Sequence, residues 1–137
     1  MLVKEVMSDR VIHVAPDCNL KEIATMMRDG DLGSVPVSED DKLIGMVTDR
    51  DIVIRGLTGT VAFHSMTARD VMSPNIKYCY EDQRLEEVLT NMAREQIRRL
   101  PVISRAKRLV GIVSLGDLAK ESTLREAGEA LEGIAKT

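Results

Sequence analysis

Aromatic residues are almost absent from this chain: its 137 residues include two tyrosines, one phenylalanine and no tryptophan. A base in a bound ligand therefore cannot be held mainly by stacking on aromatic rings, and the interior has to be built from aliphatic side chains and methionine. Hydrophobic residues still make up 44% of the chain, which is enough for a packed core. These counts predict one compact domain or two small units that share a core.

The chain also lacks an excess of positive charge and a long apolar run. It has 19 Lys and Arg against 22 Asp and Glu, a net charge of −3, which argues against nucleic-acid binding and against an anionic membrane as partner. No run approaches the ~20 apolar residues that span a bilayer. The N-terminal MLVKEVMSDR has no apolar core or cleavage site of a secretory signal. We therefore expect a cytoplasmic protein.

Cysteine and histidine are scarce, with two of each. Cys18 and Cys79 lie far apart without a C-x-x-C motif, which favours free thiols in a reducing compartment. Their spacing from His13 and His64 matches no zinc signature, so no metal site is predicted. No Ser-His-Asp or Cys-His arrangement and no G-x-x-x-x-G-K-[ST] loop is present. We expect no enzymatic activity and no required cofactor.

The sequence does contain an internal repeat. KEVMS, GSVPV and LIGMVTDRDI in the first half recur in the same order as RDVMS, RRLPV and LVGIVSLGDL in the second half. Self-similarity at this length indicates duplication of one structural unit. The repeat predicts a first copy over 1–57, a linker over 58–67, a second copy over 68–122 and a C-terminal helical tail over 123–137.

Each copy has the pattern of a β-α-β-β-α unit. In the first copy VIHVA is a short strand, Asp17 caps an amphipathic helix, SVPV and LIGMV form a hairpin, and a helix from TDRD ends at Gly56. The second copy repeats this order, with the strand IKYCY and with Asp82 as the first helix cap. One such unit exposes a sheet face that it cannot cover alone. We therefore predict a mixed α/β fold of two units packed sheet to sheet.

The motifs VMS, [S/L]-P-V and G-h-h-[T/S]-x-x-D (h, apolar) occur twice, in order, over about residues 1–122. This set resembles the cystathionine β-synthase (CBS) domain, and in particular small proteins made of one tandem CBS pair. The resemblance implies pseudo-two-fold symmetry, with clefts between the repeats that bind adenosine nucleotides or relatives such as S-adenosylmethionine and NAD. It also implies a homodimer and a regulatory, non-enzymatic role exerted on an effector protein.

The repeated phrases TDRD and SLGD allow two interpretations. A hydroxyl residue followed three positions later by an acid, at a strand-to-helix junction, is the pattern of a capping box. The same geometry suits a nucleotide, because helix N–H groups attract phosphate and an ionised Asp can accept hydrogen bonds from ribose hydroxyls. By the family resemblance, Thr48 and Ser114 would face phosphate, and Asp51 and Asp117 would hold ribose. The two interpretations are compatible, and both stay open at this point.

Basic residues distinguish the two candidate sites. Arg98 and Arg99 precede the second P-V strand, whereas a glycine and a serine precede the first. By the family resemblance such a basic residue points at phosphate, and the planar fork of arginine binds phosphate oxygens in pairs. The alternative is a pair of arginines that is solvated or forms a salt bridge near Glu95. We therefore expect the Ser114 site to bind a phosphorylated adenosine (AMP, ADP or ATP class) better than the Thr48 site.

The adenine would rest on apolar walls. The predicted walls are Ile112 and Ile12 in the Ser114 site, and Met46 and Lys77 in the Thr48 site, although each could equally be a core residue. Two rival functions remain from other classes. One is an interaction scaffold whose clefts bind no nucleotide, and the other is a metal-responsive module that uses the histidine and cysteine side chains.

Overall fold

The computed structural model describes residues 1–121 and 131–134, which form two compact units. The first-copy unit comprises residues 12–76, and the second-copy unit comprises residues 1–11 with those described from residue 77 onward. The N-terminal segment with the first VMS motif thus packs with the hairpin of the second copy, so units and sequence copies do not share boundaries. Of the predicted tail, residues 131–134 are helical and the rest lies outside the described residues.

The first-copy unit contains a two-stranded antiparallel sheet and short helices. Helix α1 is amphipathic, and the buried Leu20, Ile23 and Met27 recur at the spacing of one helical face. After the β1–β2 hairpin the chain enters α2, which continues as a π-helical turn that ends at Gly56 as predicted. The elements are α1 (Leu20–Gly30), β1 (Ser34–Glu39), β2 (Lys42–Thr48), α2 (Asp49–Asp51), the π-helical turn Ile52–Gly56, a 3₁₀ turn (Phe63–Ser65) and α3 (Ala68–Val71).

The second-copy unit contains a three-stranded sheet in the order β3-β4-β5. Strand β3 pairs parallel with β4, and β4 pairs antiparallel with β5, so the predicted hairpin is confirmed. The same order of strand, helix, hairpin and helix appears as in the first copy, which confirms the mixed α/β class. The elements are a 3₁₀ turn (Val3–Glu5), β3 (Cys79–Tyr80), α4 (Leu85–Glu95), β4 (Arg99–Ile103), β5 (Leu109–Ser114) and α5 (Leu115–Glu121).

Both predicted caps of the first helices are wrong. Asn19 is the N-cap of α1, and its side chain accepts a hydrogen bond from the Glu22 amide at 2.9 Å. The helix begins later than Asp17 because a turn closes first, where the Cys18 amide donates to the carbonyl of Ala15. In the second copy the N-cap is Arg84, with no side-chain cap, and Asp82 lies two residues earlier, where its carboxylate binds Arg105.

The two predicted first strands are shorter than expected. In VIHVA only Val14 pairs, through an isolated parallel bridge to Val37. In IKYCY the strand is limited to Cys79 and Tyr80. In the first copy this segment adds two backbone hydrogen bonds at the hairpin edge, from the Val14 amide to the Pro36 carbonyl and from the Ser38 amide to the Val14 carbonyl.

Each unit has its own aliphatic core, as the scarcity of aromatic residues requires. The first-copy core is built around the buried face of α1 and the inward residues of the hairpin. The second-copy core is built around α4, the hairpin and α5. Its fully buried large side chains include Leu85, Met92 and Leu118. None of the helices in the described part of the chain has the length and hydropathy of a membrane-spanning helix.

The VMS motif closes the hairpin of each unit at its shared glycine. The thioether of Met72 packs on Gly45, and that of Met7 packs on Gly111. The next residue, the motif serine, then pairs with the strand through two backbone hydrogen bonds: Ser73 with Met46, and Ser8 with Ile112. The hairpin residues that precede each hydroxyl–Asp phrase are therefore fixed from outside the hairpin.

Candidate functional site

The hydroxyl–Asp phrases form reciprocal capping boxes in both copies. The Thr48 amide donates to Asp51 Oδ2 at 2.9 Å, and the Asp51 amide donates to Thr48 Oγ1 at 3.0 Å. The Ser114 amide donates to Asp117 Oδ2 at 3.0 Å, and the Asp117 amide donates to Ser114 Oγ at 3.1 Å. The capping interpretation is confirmed. A ligand role for the same four side chains stays a prediction.

The two aspartates differ in their second carboxylate oxygen. Asp51 Oδ1 lies 3.5 Å from a guanidinium nitrogen of Arg55, and the Asp51 side chain is only 13% exposed. Asp117 has no ion pair with any residue in the described part of the chain. Sequence reasoning missed the Arg55 contact, although an acid and a base four residues apart on a helix are the pattern that would have indicated it.

Arg98 and Arg99 lie next to the Ser114 box. Arg99 stands directly opposite Ser114 in the β4–β5 register, and the Arg98 carbonyl accepts a hydrogen bond from the Leu115 amide at 2.7 Å. Opposite residues of an antiparallel pair share a sheet face, so the Arg99 and Ser114 side chains lie on the same side. Both arginines are exposed, and neither guanidinium has a partner among the described residues.

Of the two alternative roles for the arginines, the salt bridge with Glu95 is wrong, and a solvated pair stays open because both side chains are exposed. Glu95 instead pairs with Lys77 at 2.8 Å and approaches Arg94 at 4.0 Å. The Lys77 hydrogen bond and charge lower the pKa of the Glu95 carboxyl. The structure therefore assigns Lys77 a partner within the second-copy unit and leaves Arg98 and Arg99 available.

The four predicted adenine-wall residues have different environments. Ile112 and Met46 are half-buried, each beside its shared glycine, with the backbone fixed by the VMS serine. Ile12 and Lys77 are exposed, so neither is a core residue. By contacts, Ile112 and Lys77 belong to the second-copy unit with Ser114, whereas Met46 and Ile12 belong to the first-copy unit with Thr48.

Both cysteines are free thiols that resist ionisation. Burial raises the pKa of the Cys79 thiol to about 12. Burial, followed by a hydrogen bond to the Glu22 carboxylate, raises the pKa of the Cys18 thiol to about 11. Within the described residues, no three His, Cys, Asp or Glu side chains are grouped closely enough to hold a metal ion.

A thiol-labelling experiment tests whether Glu22 helps to raise the pKa of the Cys18 thiol. At pH 8 a thiol with a pKa of about 11 is almost fully protonated, and only the thiolate attacks a disulfide reagent. We expect slow labelling at pH 8 that accelerates about tenfold per pH unit up to pH 11. Glu22→Gln removes one cause of the raised pKa and should speed labelling at pH 8. Equal rates in the two proteins would show that Glu22 does not control this thiol.

The duplicated sequence also matches a known protein family. The model of the CBS domain matches residues 3–56 and 68–127. The chain belongs to the CBS domain family. The CBS domain-containing protein YhcV of Bacillus subtilis is 38% identical over 97% of this chain and 94% of its own length. The two are therefore similar over almost their whole lengths.

Two solved structures share the CBS fold with this chain. The crystal structure of hypoxic response protein I, with two coordinated zinc ions, has a TM-score of 0.77 and 37% identity over 90% of this chain and all of that chain. The corresponding curated relative is hypoxic response protein 1 of Mycobacterium tuberculosis. The CBS pair of protein MJ0100, in complex with 5′-methylthioadenosine and S-adenosyl-L-methionine, has a TM-score of 0.71 and 25% identity over 88% and 98% of the two chains.

Proposed function

We propose that this CBS pair is a non-enzymatic regulatory module that binds an adenine nucleotide of the AMP, ADP or ATP class through Ser114, Asp117 and the Arg98–Arg99 pair. The observation that carries the proposal is the placement of two exposed guanidinium groups, without a partner among the described residues, beside a hydroxyl–Asp phrase. The MJ0100 complex supports adenosine compounds as the ligand class. S-adenosylmethionine and NAD contain the same adenosine and are the alternatives within this class.

The phosphate end of the ligand would be held by charge. Arg99 lies opposite Ser114 on one sheet face, and its guanidinium can offer two parallel N–H groups to phosphate oxygens. The Ser114 hydroxyl supplies a further donor, since its oxygen accepts the Asp117 amide and its proton is free to rotate toward phosphate. The matching positions of the first copy, Gly33 and Ser34, carry no cation.

The ribose end would be held by Asp117. Its Oδ2 accepts a hydrogen bond from the Ser114 amide, while its Oδ1 has no ion pair with the described residues and can accept from a ribose hydroxyl. The half-buried Ile112 lies on the same face of β5 as Ser114 and would offer an apolar surface to adenine, and backbone groups of the VMS segment fix its position. Signalling would then require a ligand affinity that differs between two arrangements of the protein. A homodimer and a separate effector protein complete the proposal.

Thermal unfolding of the full chain tests this function against AMP, ADP, ATP, NAD, S-adenosylmethionine and adenosine. A ligand that binds only the folded state raises its stability by about 2.7 kcal/mol at a hundred times the dissociation constant. We expect such a rise with a phosphorylated adenosine, and we expect Asp117→Ala to abolish it. The double variant R98Q/R99Q should weaken the response to AMP and ATP but not the response to adenosine.

Asp51→Ala is the matched control, because it removes the same capping-box acid from the first copy. It should lose a similar cap contribution while keeping the response to nucleotide. If no compound of the panel shifts the unfolding temperature, the scaffold function replaces this one. Zinc chloride belongs in the panel because the related hypoxic response protein I contains zinc. A shift with zinc alone, reversed by a chelator, would favour the metal-responsive function.

A further inference from the structure

Arg55 contacts two parts of the first-copy unit: the carboxylate of Asp51, which is the candidate ribose ligand, and the backbone at the end of α3. One guanidinium nitrogen lies 3.5 Å from Asp51 Oδ1, and the other donates to the Val71 carbonyl at 2.8 Å. Arg55 lies in the π-helical turn that follows α2, and such turns recur at functional sites. Asp51 Oδ2 is already bound to the Thr48 amide. One oxygen of this carboxylate therefore accepts a hydrogen bond within the protein, and the other is paired with a cation.

Among the described residues, the second copy has no equivalent of this contact. Arg55 stands ten residues after Gly45, and the residue ten positions after Gly111 is Glu121. A carboxylate cannot donate to Asp117, and the helix α5 that carries it has no π-helical turn. The two repeat-equivalent aspartates thus differ in chemistry: Asp51 is compensated by an internal cation, whereas Asp117 has no ion pair with the described residues.

We propose that Arg55 determines which of the two sites binds: it competes with ligand ribose for Asp51 and keeps the Thr48–Asp51 site weak. This inference rests on the proposed function, since it assumes that the second-copy phrase holds an adenosine. A ribose hydroxyl that donates to Asp51 Oδ1 has to displace or share the Arg55 guanidinium. The guanidinium is half exposed, so the contact lowers affinity without closing the site.

Arg55 does not take over the part that Arg98 and Arg99 play in the other copy. Its hydrogen bond to Val71 and its contact with Asp51 orient it toward its own unit's helix junction. A phosphate would therefore have to break these two contacts to recruit it. The difference between the sites has two components: the second copy has two cations without a partner in the described part of the chain, and the first copy has a carboxylate that is already paired.

Binding of adenosine to full-length variants tests the inference, because this uncharged ligand is insensitive to the loss of a cation near phosphate. Isothermal titration would compare D117A, in which the second-copy site is disabled, with D117A/R55Q. We expect R55Q to tighten adenosine binding about fivefold, the upper range for a half-exposed ion pair. The triple variant with D51A should lose the gained binding.

R55K in the same D117A background is the matched control. A lysine keeps the charge near Asp51, so this variant should remain as weak as D117A alone. A purely structural role of Arg55 would give weaker binding and lower stability in R55Q, never a gain in affinity. If wild type binds AMP and D117A does not, but R55Q brings no gain, the inference is overturned while the proposed function stands. If wild type binds no adenosine compound, both are overturned.

Discussion

Gly111→Ala is expected to lower the free energy of unfolding by about 3 kcal/mol, against about 1 kcal/mol for Gly45→Ala. A Cβ at Gly111 would lie 2.5 Å from Met7 Sδ and 2.9 Å from the Ser8 carbonyl oxygen. That carbonyl accepts the Ile112 amide at 2.9 Å, so it cannot retreat without losing the bridge. At Gly45 the nearest atoms all belong to the flexible Met72 side chain. Urea denaturation of the two variants measures the difference.

Removal of the methionine side chains separates the steric clash with methionine from the clash with the Ser8 carbonyl. Met72→Ala removes the two atoms nearest the Gly45 position, Sδ at 2.6 Å and Cγ at 3.1 Å, and keeps only Cβ at 3.3 Å, so G45A should cost little in the M72A protein. Met7→Ala leaves the Ser8 carbonyl in place, so G111A should still destabilise the M7A protein. Equal and additive losses in both pairs would contradict the packing of the VMS motif on the hairpin glycines.

Cys79→Val is expected to remove a large decrease in the free energy of unfolding at alkaline pH. Burial raises the pKa of the Cys79 thiol from its ordinary value near 9 to about 12, so the folded state holds this proton more tightly than the unfolded state. Its contribution to stability is complete below pH 9 and is lost as pH rises toward 12. The free energy of unfolding should therefore fall by up to ~1.4 kcal/mol per pH unit in this window.

The comparison of wild type with Cys79→Val isolates this proton. Other groups, including Cys18, titrate in the same range but are present in both proteins. Valine suits a buried strand position, so the variant should fold and lie above wild type in stability by pH 11. Chemical denaturation at pH 8, 9, 10 and 11 gives the slope. Parallel curves would mean that the thiol is not protected by burial.

Several features of the fold were predictable from local pattern. The β1–β2 and β4–β5 hairpins follow from apolar runs around polar turns, and α1 and α4 follow from apolar residues at helical spacing. The capping boxes at Thr48 and Ser114 follow from residue types three positions apart. The helix caps were harder to predict. Asp17 and Asp82 are both suitable residue types, but Asp17 lies in a backbone turn that precedes α1, and the carboxylate of Asp82 is bound by Arg105.

The sequence by itself determined the duplication, the mixed α/β class, the family and the candidate residues, because these depend on order and spacing along the chain. Tertiary structure alone decided which VMS motif closes which hairpin, since the segment around Ser8 bonds to Ile112 and the segment around Ser73 bonds to Met46. It also determined which charged side chains of the candidate sites form ion pairs. Arg55 pairs with Asp51 while Arg98 and Arg99 find no partner among the described residues, because distance in space sets these contacts.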